Sequence, residues 1–364
     1  MTATYAEGVA HEHPSLVVVG AGIIGLATAF RLARRGHAVT LFDPDPAKGA
    51  TYAAAGMIAP TAEIAPGEEA NYRFQRGAID AWREMAREIA AITHREVAIV
   101  QTGTLIVGWD ASDRRLIDQF RSVATEFGAP MRALDRRDEP EPFEGLSTRI
   151  TEGLLMADDG WLDPDDAVQS LMEANETLGV RLVRERVLRA SSNASGVEVE
   201  TDSGLTRADY GIVATGAQGL PGGLTVPKSP TVRPVRGVTV RVSSLDRSSL
   251  PTVRAYVRGR AFYMVSRPGG YCVLGATAEE KPQPLVEVGE LQRLLRDGLD
   301  IVPELEAAPL LEIRNGLRPA TTDLRPFFVA LSEPGWSWSS GHYRHGVTLA
   351  PLAAQDALDA ITPS

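Results

Sequence analysis

The chain of 364 residues is 44% hydrophobic, which is enough apolar material for two domains, and it carries a formal net charge of −10 at pH 7. This acidic balance, without any local basic stripe, argues against a nucleic-acid-binding surface. No apolar run approaches the roughly eighteen residues of a membrane span. A single cysteine excludes an internal disulfide, so we expect a cytoplasmic protein without a membrane partner.

The strongest pattern of the chain follows a short leader. Residues 1–13 contain no apolar segment of the kind found in signal peptides, and we expect a flexible tail there. The apolar run Leu16–Val19 is typical of a buried strand. The apolar residues that follow at helical spacing predict a helix that ends at Gly36, and 38–42 predicts a second strand.

Three glycines between this first strand and the helix match the pattern of a dinucleotide site. Gly20 would make the tight turn, Gly22 would let the backbone approach a pyrophosphate, and Gly25 would let helix and strand pack closely. The unpaired N–H groups of the helix start would face the phosphates, and Asp43 would accept both hydroxyls of an adenosine ribose. A carboxylate at position 43 argues against a ligand that carries a 2′-phosphate on its ribose. A glycine turn of purely structural purpose is the alternative.

The next hundred residues predict a loop of small residues followed by helices. The stretch 50–60 is rich in small residues, which would let its backbone lie directly against a flat ring or a phosphate chain. The start of an ordinary helix can have the same composition and is the alternative. Periodicity predicts a long amphipathic helix over 68–93 and another over 112–127 that is capped by Ser112. Short strands are predicted at 97–100 and 103–107.

A second apolar strand that runs into a glycine turn lies far along the chain. Asp163 and Pro164 predict the cap and first residue of a helix. After alternating strands, the apolar run 210–213 leads into Ala214, Thr215 and Gly216. Two such strand ends at one sheet edge would enclose one long ligand.

From Thr231 onward, period-two alternation predicts an antiparallel sheet, an architecture different from that of the first part. Cys272 lies in the middle of one of its strands, which is typical of a small buried apolar residue. Beyond this sheet we expect a helix over 287–299, a strand over 310–313, a loop over 315–323 that carries Arg318, and a final helix over 347–361.

Taken together, these motifs resemble those of the D-amino acid oxidase superfamily of flavoproteins, and within it most closely the glycine oxidases of thiamine biosynthesis. The resemblance spans nearly the whole chain in the right order. The motifs that carry it are Gly20-Ala-Gly-Ile-Ile-Gly25, Ala53-Ala-Ala-Gly-Met57, Ala214-Thr-Gly216, Arg233-Pro-Val-Arg-Gly237, Val253-Arg-Ala255, Tyr263-Met-Val-Ser-Arg267, Gly275-Ala-Thr277, Gly316-Leu-Arg-Pro319 and Gly341-His-Tyr-Arg-His-Gly346.

The resemblance implies an FAD-dependent amine oxidase with noncovalent FAD, which oxidises glycine or a similarly small amine by O₂ and is commonly a homotetramer. The products would be the imine or glyoxylate, ammonia and hydrogen peroxide, and the imine would serve thiazole assembly. The implied fold is α/β: a Rossmann-like FAD-binding domain with a mixed or parallel sheet, and an antiparallel α+β substrate-binding domain. We expect the first domain to comprise 14–80, 150–220 and 310–361, and the second 81–149 and 221–309.

The resemblance also implies the residues of the site. Arg318 would hold the substrate carboxylate through two parallel hydrogen bonds, Tyr263 would add a hydroxyl donor, and Arg344 would stand at the start of the last helix, near the reduced flavin. Residues expected to contact FAD, besides Arg318 and Arg344, are Gly20, Gly22, Ile23, Ile24, Gly25, Asp43, Thr51, Ala54, Ala55, Gly56, Met57, Val187, Ala214, Thr215, Gly216, Gly316, His342, Tyr343, His345 and Gly346.

Each catalytic assignment has a structural alternative. Arg318 would instead pair with Asp323, Tyr263 would be an ordinary core residue, and Arg344 would bond local carbonyl groups. The two histidines of the last motif share their spacing with no carboxylate or cysteine, so we expect no metal site.

The class of activity also has alternatives. A sarcosine or D-amino acid oxidase differs from a glycine oxidase mainly in pocket volume. Taken alone, the first glycine motif fits an NAD-binding dehydrogenase or a nucleotide-binding regulator. A flavin dehydrogenase that reduces a membrane quinone would need a basic amphipathic helix, which the sequence does not offer.

The chain departs from the family pattern at a few positions that bear on the substrate rather than on the fold. Tyr52 stands where a small or hydroxyl residue is usual, and Ser266 stands where proline is common. Thr322-Asp323 replaces the commoner Asp-Gly, and His345 replaces an asparagine.

Overall fold

Two large sheets organise the structure, a computed structural model that describes residues 13–227, 230–244 and 246–361. The tail expected at 1–13 lies, except for His13, outside the described residues. The helices are α1 (Ile23–Arg34), α2 (Glu69–Gln75), α3 (Ala78–Thr93), α4 (Ala111–Glu126), α5 (Pro164–Thr177), α6 (Val288–Ile301) and α7 (Gly346–Ile361). The strands are β1 (Leu16–Val19), β2 (Val39–Phe42), β3 (Met57–Ile58), β4 (Thr104–Gly108), β5 (Arg132–Asp135), β6 (Glu152–Met156), β7 (Gly160–Trp161), β8 (Arg181–Val183), β9 (Arg189–Asn193), β10 (Gly196–Thr201), β11 (Gly204–Ala208), β12 (Tyr210–Val213), β13 (Arg233–Ser243), β14 (Thr252–Val257), β15 (Arg260–Arg267), β16 (Tyr271–Gly275), β17 (Leu310–Ala320), β18 (Phe327–Ala330) and β19 (Trp336–Ser340).

The first sheet has six strands in the order β18-β19-β12-β1-β2-β8, and all are parallel except the edge strand β18. β1 and β12 end at the same edge, after Val19 and Val213, as the two glycine turns predict. Because side chains alternate along a strand, Leu16 and Val18 pack against the layer of α1, α3, α5 and α7. Val17 and Val19 pack on the other face, toward the three-stranded sheet of β9, β10 and β11. The Rossmann-like α/β part of the prediction is therefore confirmed.

The second sheet has eight strands in the order β17-β13-β16-β15-β14-β4-β6-β5 and is antiparallel except where β14 pairs with β4. One face packs on α6 in a core that contains Phe262, Leu274 and Leu294. Directly opposed residues of neighbouring strands share a face, so Tyr263 and Arg254 both point to the other side. The predicted antiparallel sheet is confirmed. α4 and Trp161 pack on parts of this other face, and the part that carries Tyr263 supplies one wall of the site described below.

Several local predictions need correction. The helix predicted over 68–93 is two helices, α2 and α3, since the chain turns at Gly77 and Phe74 is 42% exposed, which interrupts the apolar stripe. The stretch 97–100 is not a strand, because only Val100 forms a bridge, with Trp161. Asp110 rather than Ser112 caps α4, because its carboxylate accepts the N–H groups of Ser112 and Asp113.

The loop predicted over 315–323 is wrong for most of its length. β17 continues through Arg318 to Ala320 because it pairs along its length with β13. β17 is an edge strand, where Pro319 is tolerated. Pairing with a distant strand thus overrides the local turn composition of Asn315 and Gly316.

The division into two domains stays a prediction, but two of its segments disagree with the strand pairing. β6 lies in the segment 150–220 and β17 in 310–361, yet both strands belong to the second sheet. Short-range patterns do not reveal which sheet a strand joins, because its partners are distant in sequence. In the described ranges, none of the helices is long and apolar enough to cross a bilayer.

Candidate active site

A cavity of about 860 Å³ runs from the carboxyl edge of the first sheet to the face of the second sheet that carries Tyr263. Its volume lies toward the upper end of the range for small-molecule and cofactor sites. The segments 42–57 and 214–221 line one part, and the segments 315–319 and 339–347 line another. Parts of the chain that are far apart in sequence therefore face one elongated space.

The turn between β1 and α1 is held by glycines that admit no side chain. Gly20 has a φ of +105°, and a Cβ there would lie 2.5 Å from the carbonyl oxygen of Ala214. A Cβ on Gly25 would lie 1.8 Å from the carbonyl oxygen of Gly20. The predicted close packing of helix, strand and turn is therefore present, and it includes the second glycine turn.

The start of α1 forms part of the cavity wall. Gly22 occupies the N-cap without a side-chain hydrogen bond, and the first turn contains no acidic residue. The N–H of Ile23 donates to Thr51 Oγ1 at 3.0 Å, and Ile23 and Ile24 both line the cavity. A helix N-terminus in this state suits a phosphate group, so the residues present fit the pyrophosphate of a dinucleotide.

Asp43 lies at the end of β2 and lines the same end of the cavity. Its Oδ2 accepts the N–H of Ala21 at 2.7 Å and its Oδ1 accepts the N–H of Asp45 at 2.9 Å. These two bonds fix the carboxylate beside the glycine turn, and Val187 lines the cavity nearby. Ribose binding by Asp43 remains a prediction.

The stretch of small residues after β2 is a turn fixed to the second sheet, so the alternative of a helix start is excluded. The carbonyl oxygen of Ala53 accepts Thr239 Oγ1 at 3.1 Å, and that of Ala55 accepts the guanidinium of Arg267. Gly56 has a φ of +74°, and a Cβ there would meet the carbonyl oxygen of Leu162 at 2.0 Å. The backbone from 49 to 57 therefore faces the cavity in one fixed conformation.

Arg318 projects from β17 onto the cavity wall. Its Nη1 donates to the carbonyl oxygen of Thr277 at 3.0 Å, and its guanidinium lies over Gly237, where a Cβ would approach it to 2.2 Å. Burial lowers the pKa of this guanidinium. The alternative pairing with Asp323 is not formed among the described residues: the Arg318 guanidinium donates to Thr277, and Asp323 accepts the N–H of Arg325.

Tyr263 projects from β15 into the same part of the cavity. Its ring lies over Gly275, where a Cβ would come within 2.2 Å of the ring. Burial raises the pKa of the hydroxyl to about 12, although the charge of Arg318 opposes this. Tyr263 is therefore a neutral hydrogen-bond donor on the cavity wall rather than an ordinary core residue.

Arg344 and its neighbours form the turn that leads into α7 and also line the cavity. The N–H of Tyr343 donates to the carbonyl oxygen of Pro319 at 2.9 Å, which ties this turn to β17. The Arg344 guanidinium lies 5.1 Å from the centre of the Tyr343 ring, and in the described part of the chain it bonds no backbone carbonyl. Burial lowers the pKa of His342 to about 4, so this histidine is neutral at pH 7.

Two charged residues in this part of the cavity were not assigned from the sequence. Glu63 lies in the turn after β3, with its Oε2 3.1 Å from Nδ1 of His345. Burial alone would raise the pKa of Glu63, but the hydrogen bond and charge of His345, with the charges of Arg254 and Arg344, lower it to about 2. Arg254 lines the cavity, and its buried Nη1 has no hydrogen-bond partner among the described residues. Arg254 belongs to a family motif, but no sequence signal marks Glu63.

The cavity brings together most of the predicted site residues. Tyr263, Arg318, Arg344 and the residues expected to contact FAD all line it, except Gly25 and His345. Gly25 lies behind the turn because it packs on Gly20, and the side chain of His345 turns toward Glu63. Contact with a cofactor stays a prediction for the remaining residues.

The metal-ligating side chain types and the single cysteine lie apart from any arrangement that would hold a metal ion in the described part of the chain. Within the described ranges, no group of three or more histidine, cysteine, aspartate or glutamate side chains is arranged to hold a metal ion. Cys272 is buried in the core on the opposite face of the second sheet, where burial raises the pKa of its thiol to about 12. The prediction of a small buried residue is confirmed for Cys272.

Known proteins match this chain over nearly its full length. The sequence profile of the DAO family, described as FAD dependent oxidoreductase, matches residues 15–360. The bifunctional protein ThiO/ThiG of Nostoc sp. (strain PCC 7120 / SAG 25.82 / UTEX 2576) is 28% identical over 350 residues, covering 95% of this chain and 52% of that protein, so the chain spans about half of its length. Glycine oxidase of Geobacillus kaustophilus (strain HTA426) is 27% identical over 344 residues, covering 93% of this chain and 90% of that enzyme. The crystal structure of glycine oxidase from Geobacillus kaustophilus matches with a TM-score of 0.86 at 25% identity, covering 96% of this chain and 94% of that one.

Proposed function

The chain belongs to the DAO family of FAD-dependent oxidoreductases, and we propose that it oxidises glycine with O₂ as the electron acceptor. The products would be the imine, which hydrolyses to glyoxylate and ammonia, and hydrogen peroxide. Because FAD is the cofactor of this family, the alternatives of an NAD-binding dehydrogenase and of a nucleotide-binding regulator are not supported.

The observation that carries this proposal is the position of Arg318. Its guanidinium lies over Gly237 on the cavity wall, with the neutral hydroxyl of Tyr263 in the same part of the cavity. A planar guanidinium binds a carboxylate through two parallel hydrogen bonds, and a phenol adds a third donor. The pair therefore suits the carboxylate of a small amino acid.

The residues of the cavity wall would orient the substrate and stabilise the charge that develops during the reaction. Bound FAD supplies the acceptor for the hydride that leaves the substrate Cα. Arg318 and Tyr263 would fix the carboxylate so that this hydrogen points in one direction, which lowers the entropic cost of reaction. Arg344 and the N–H groups at the start of α7 place positive charge at the cavity wall, where they would stabilise negative charge as it develops.

The proposal is tested by a substrate panel on the purified yellow protein. Peroxide release would be measured with glycine, sarcosine, D-alanine, D-proline and bulky D-amino acids, at matched FAD content. We expect glycine and sarcosine to have the highest kcat/KM and peroxide to form in equal amount to glyoxylate. A preference for D-proline or bulky D-amino acids would overturn the glycine assignment and favour a D-amino acid oxidase.

The cellular setting is part of the same proposal. Similarity to the ThiO/ThiG protein supports a role in the thiazole branch of thiamine synthesis. A cytoplasmic location and a homotetrameric assembly complete the proposal and rest on the family resemblance alone. Light scattering would test the assembly. A thiamine requirement in a strain that lacks this gene, relieved by the wild-type gene but not by the Arg318→Ala variant, would test the pathway.

A further inference from the structure

We propose that Glu63 binds the amine nitrogen of the substrate, with His345 holding its carboxylate in place, so that the site recognises both ends of an amino acid. The inference rests on the proposed oxidation of a small amino acid and adds the group that selects for nitrogen. It assigns a role to a residue for which the sequence offered none.

The main observation is that only one oxygen of Glu63 has a partner. Oε2 lies 3.1 Å from Nδ1 of His345, whereas Oε1 meets no hydrogen-bond donor among the described residues. The side chain is 18% exposed, and Glu63 lines the cavity. A carboxylate with one oxygen fixed and the other open to the cavity is arranged to accept a hydrogen bond from a ligand.

The backbone before Glu63 is fixed in place by a buried carboxylate. Asp159 is fully buried, and its two oxygens accept the N–H of Thr61 at 3.0 Å and the N–H of Ala62 at 2.9 Å. Those bonds hold the turn immediately before Glu63. The open oxygen is therefore presented from a rigid position, as a substrate-binding group requires.

Glu63 also lies among the residues proposed to bind the substrate carboxylate. Its negative charge acts on Tyr263, Arg318 and Arg344, and the charges of His345, Arg254 and Arg344 keep its own carboxyl ionised. Arg318 would bind the carboxylate end of a zwitterion, and Glu63 would bind the ammonium or amine end. A ligand that lacks nitrogen would meet only the negative charge of Glu63.

The partner of Glu63 is His345, which is buried against it. In the motif that the chain resembles, an asparagine is usual at this position. An imidazole can carry a positive charge, whereas an amide cannot. The carboxylate of Glu63 therefore has an ionisable partner on the side away from the cavity.

The test compares glycine with acetate, which keeps the carboxylate and lacks the amine. For Glu63→Gln in the FAD-bound enzyme we expect KM for glycine to rise roughly 10- to 100-fold, because a charge-assisted hydrogen bond is lost. The Kd for acetate, measured from the shift of the flavin absorption band, would stay the same or decrease. A purely structural role for Glu63 would weaken both ligands together.

A second variant separates the role of charge from that of folding. His345→Asn keeps a donor beside Glu63 and removes the ionisable group, so we expect selectivity for glycine over acetate to rise by up to roughly threefold. That change is opposite in direction to the change in Glu63→Gln. Glu88→Gln is the matched control, because Glu88 pairs with Arg31 at 2.9 Å and does not line the cavity.

The outcomes distinguish this inference from the proposed function. If the wild-type enzyme does not oxidise glycine, the proposed function fails. If it oxidises glycine but selectivity over acetate is unchanged in both Glu63→Gln and His345→Asn, the amine-binding role alone is overturned. An equal loss of glycine and acetate binding in Glu63→Gln would also overturn it.

Discussion

The two ends of the cavity are built in different ways. The end beside β1 is made mainly of backbone from the glycine turns after β1 and β12, where Gly20 and Gly25 leave no room for a Cβ. The end beside the second sheet is made of charged and hydroxyl side chains from separate elements, chiefly Glu63, Tyr263 and Arg318. We therefore expect the first end to be disrupted by substitutions that add side-chain volume. We expect the second end to be disrupted by substitutions that change the charge or geometry of a side chain.

The largest effect is expected from a substitution at Gly25, where there is least space for a Cβ. In Gly25→Ala, the new Cβ would lie 1.8 Å from the carbonyl oxygen of Gly20, so α1 must move away from the turn. We expect protein that is colourless or fails to fold, measured by the visible spectrum and thermal unfolding. Gly77→Ala is the control, because a Cβ there meets no atom within 4 Å. A yellow, stable Gly25→Ala protein would show that backbone packing does not limit the first end.

The next effect is expected at the guanidinium of the second end. Arg318→Lys keeps the positive charge but not the planar pair of donors, so we expect kcat/KM for glycine to fall about 100-fold. The visible spectrum should be unchanged, because the first end is intact. Activity equal to wild type would mean that charge alone suffices at this position.

A smaller effect is expected at the glycine beneath that guanidinium. In Gly237→Ala, the new Cβ would come within 2.2 Å of the Arg318 guanidinium, which is the flexible end of a side chain and can shift. We expect bound FAD, normal stability and a roughly tenfold rise in KM for glycine, because misplacement weakens a charged hydrogen bond without removing it. If Gly237→Ala lost FAD and showed no rise in KM, Gly237 would resemble Gly20 and Gly25, where added side-chain volume is not tolerated. Gly289→Ala on α6 serves as the control, because its Cβ would meet the nearest atom at an ordinary 3.5 Å.

The last effect concerns the pH dependence of stability, and it arises at Asp159, which holds the turn before Glu63. Burial raises the pKa of Asp159 to about 7, from an ordinary value of 3.8. Between these two values the folded chain holds a proton that the unfolded chain has released, so this group lowers the free energy of unfolding as the pH rises from about 4 to 7. Asp159→Asn cannot titrate. We expect the Tm of wild type minus that of the variant to decrease over this interval.

A comparison with Asp158→Asn checks that last prediction. Asp158 is the exposed neighbour of the buried carboxylate, so its substitution leaves the buried group in place. Its Tm difference from wild type should stay level between pH 4 and 7. A level difference for Asp159→Asn as well would contradict the raised pKa.

The same contrast explains which parts of the molecule were predictable from the sequence. The turn from β1 to β2 was predicted because its glycines, apolar runs and Asp43 lie next to each other, and short-range sterics determine the conformation. The cap at Asp163 was predicted for the same reason, since its carboxylate accepts the nearby N–H of Asp165 at 2.8 Å. In both places the physical cause acts within a few residues.

The second end was predicted less well because its causes act at long range. Arg318 was expected in a loop, but pairing with β13 makes it part of a strand. Arg318 lies over Gly237 and Tyr263 over Gly275, and both contacts depend on which strands are neighbours. Glu63 follows a turn that the distant Asp159 holds through the N–H groups of Thr61 and Ala62. Resemblance to a family supplied Arg318 and Tyr263, whereas the residues around them required the sheet register.

The position of α7 has a consequence for how the protein is made. This helix ends the described part of the chain, packs against α1, and receives a hydrogen bond of 2.7 Å from Trp82 Nε1 to the carbonyl oxygen of Val347. Its first residues also close one wall of the cavity. A nascent chain on the ribosome therefore exposes an incomplete cavity until α7 has emerged. Cofactor capture accordingly depends on the synthesis of α7, and chains truncated before α7 are expected to be targets for proteolytic quality control.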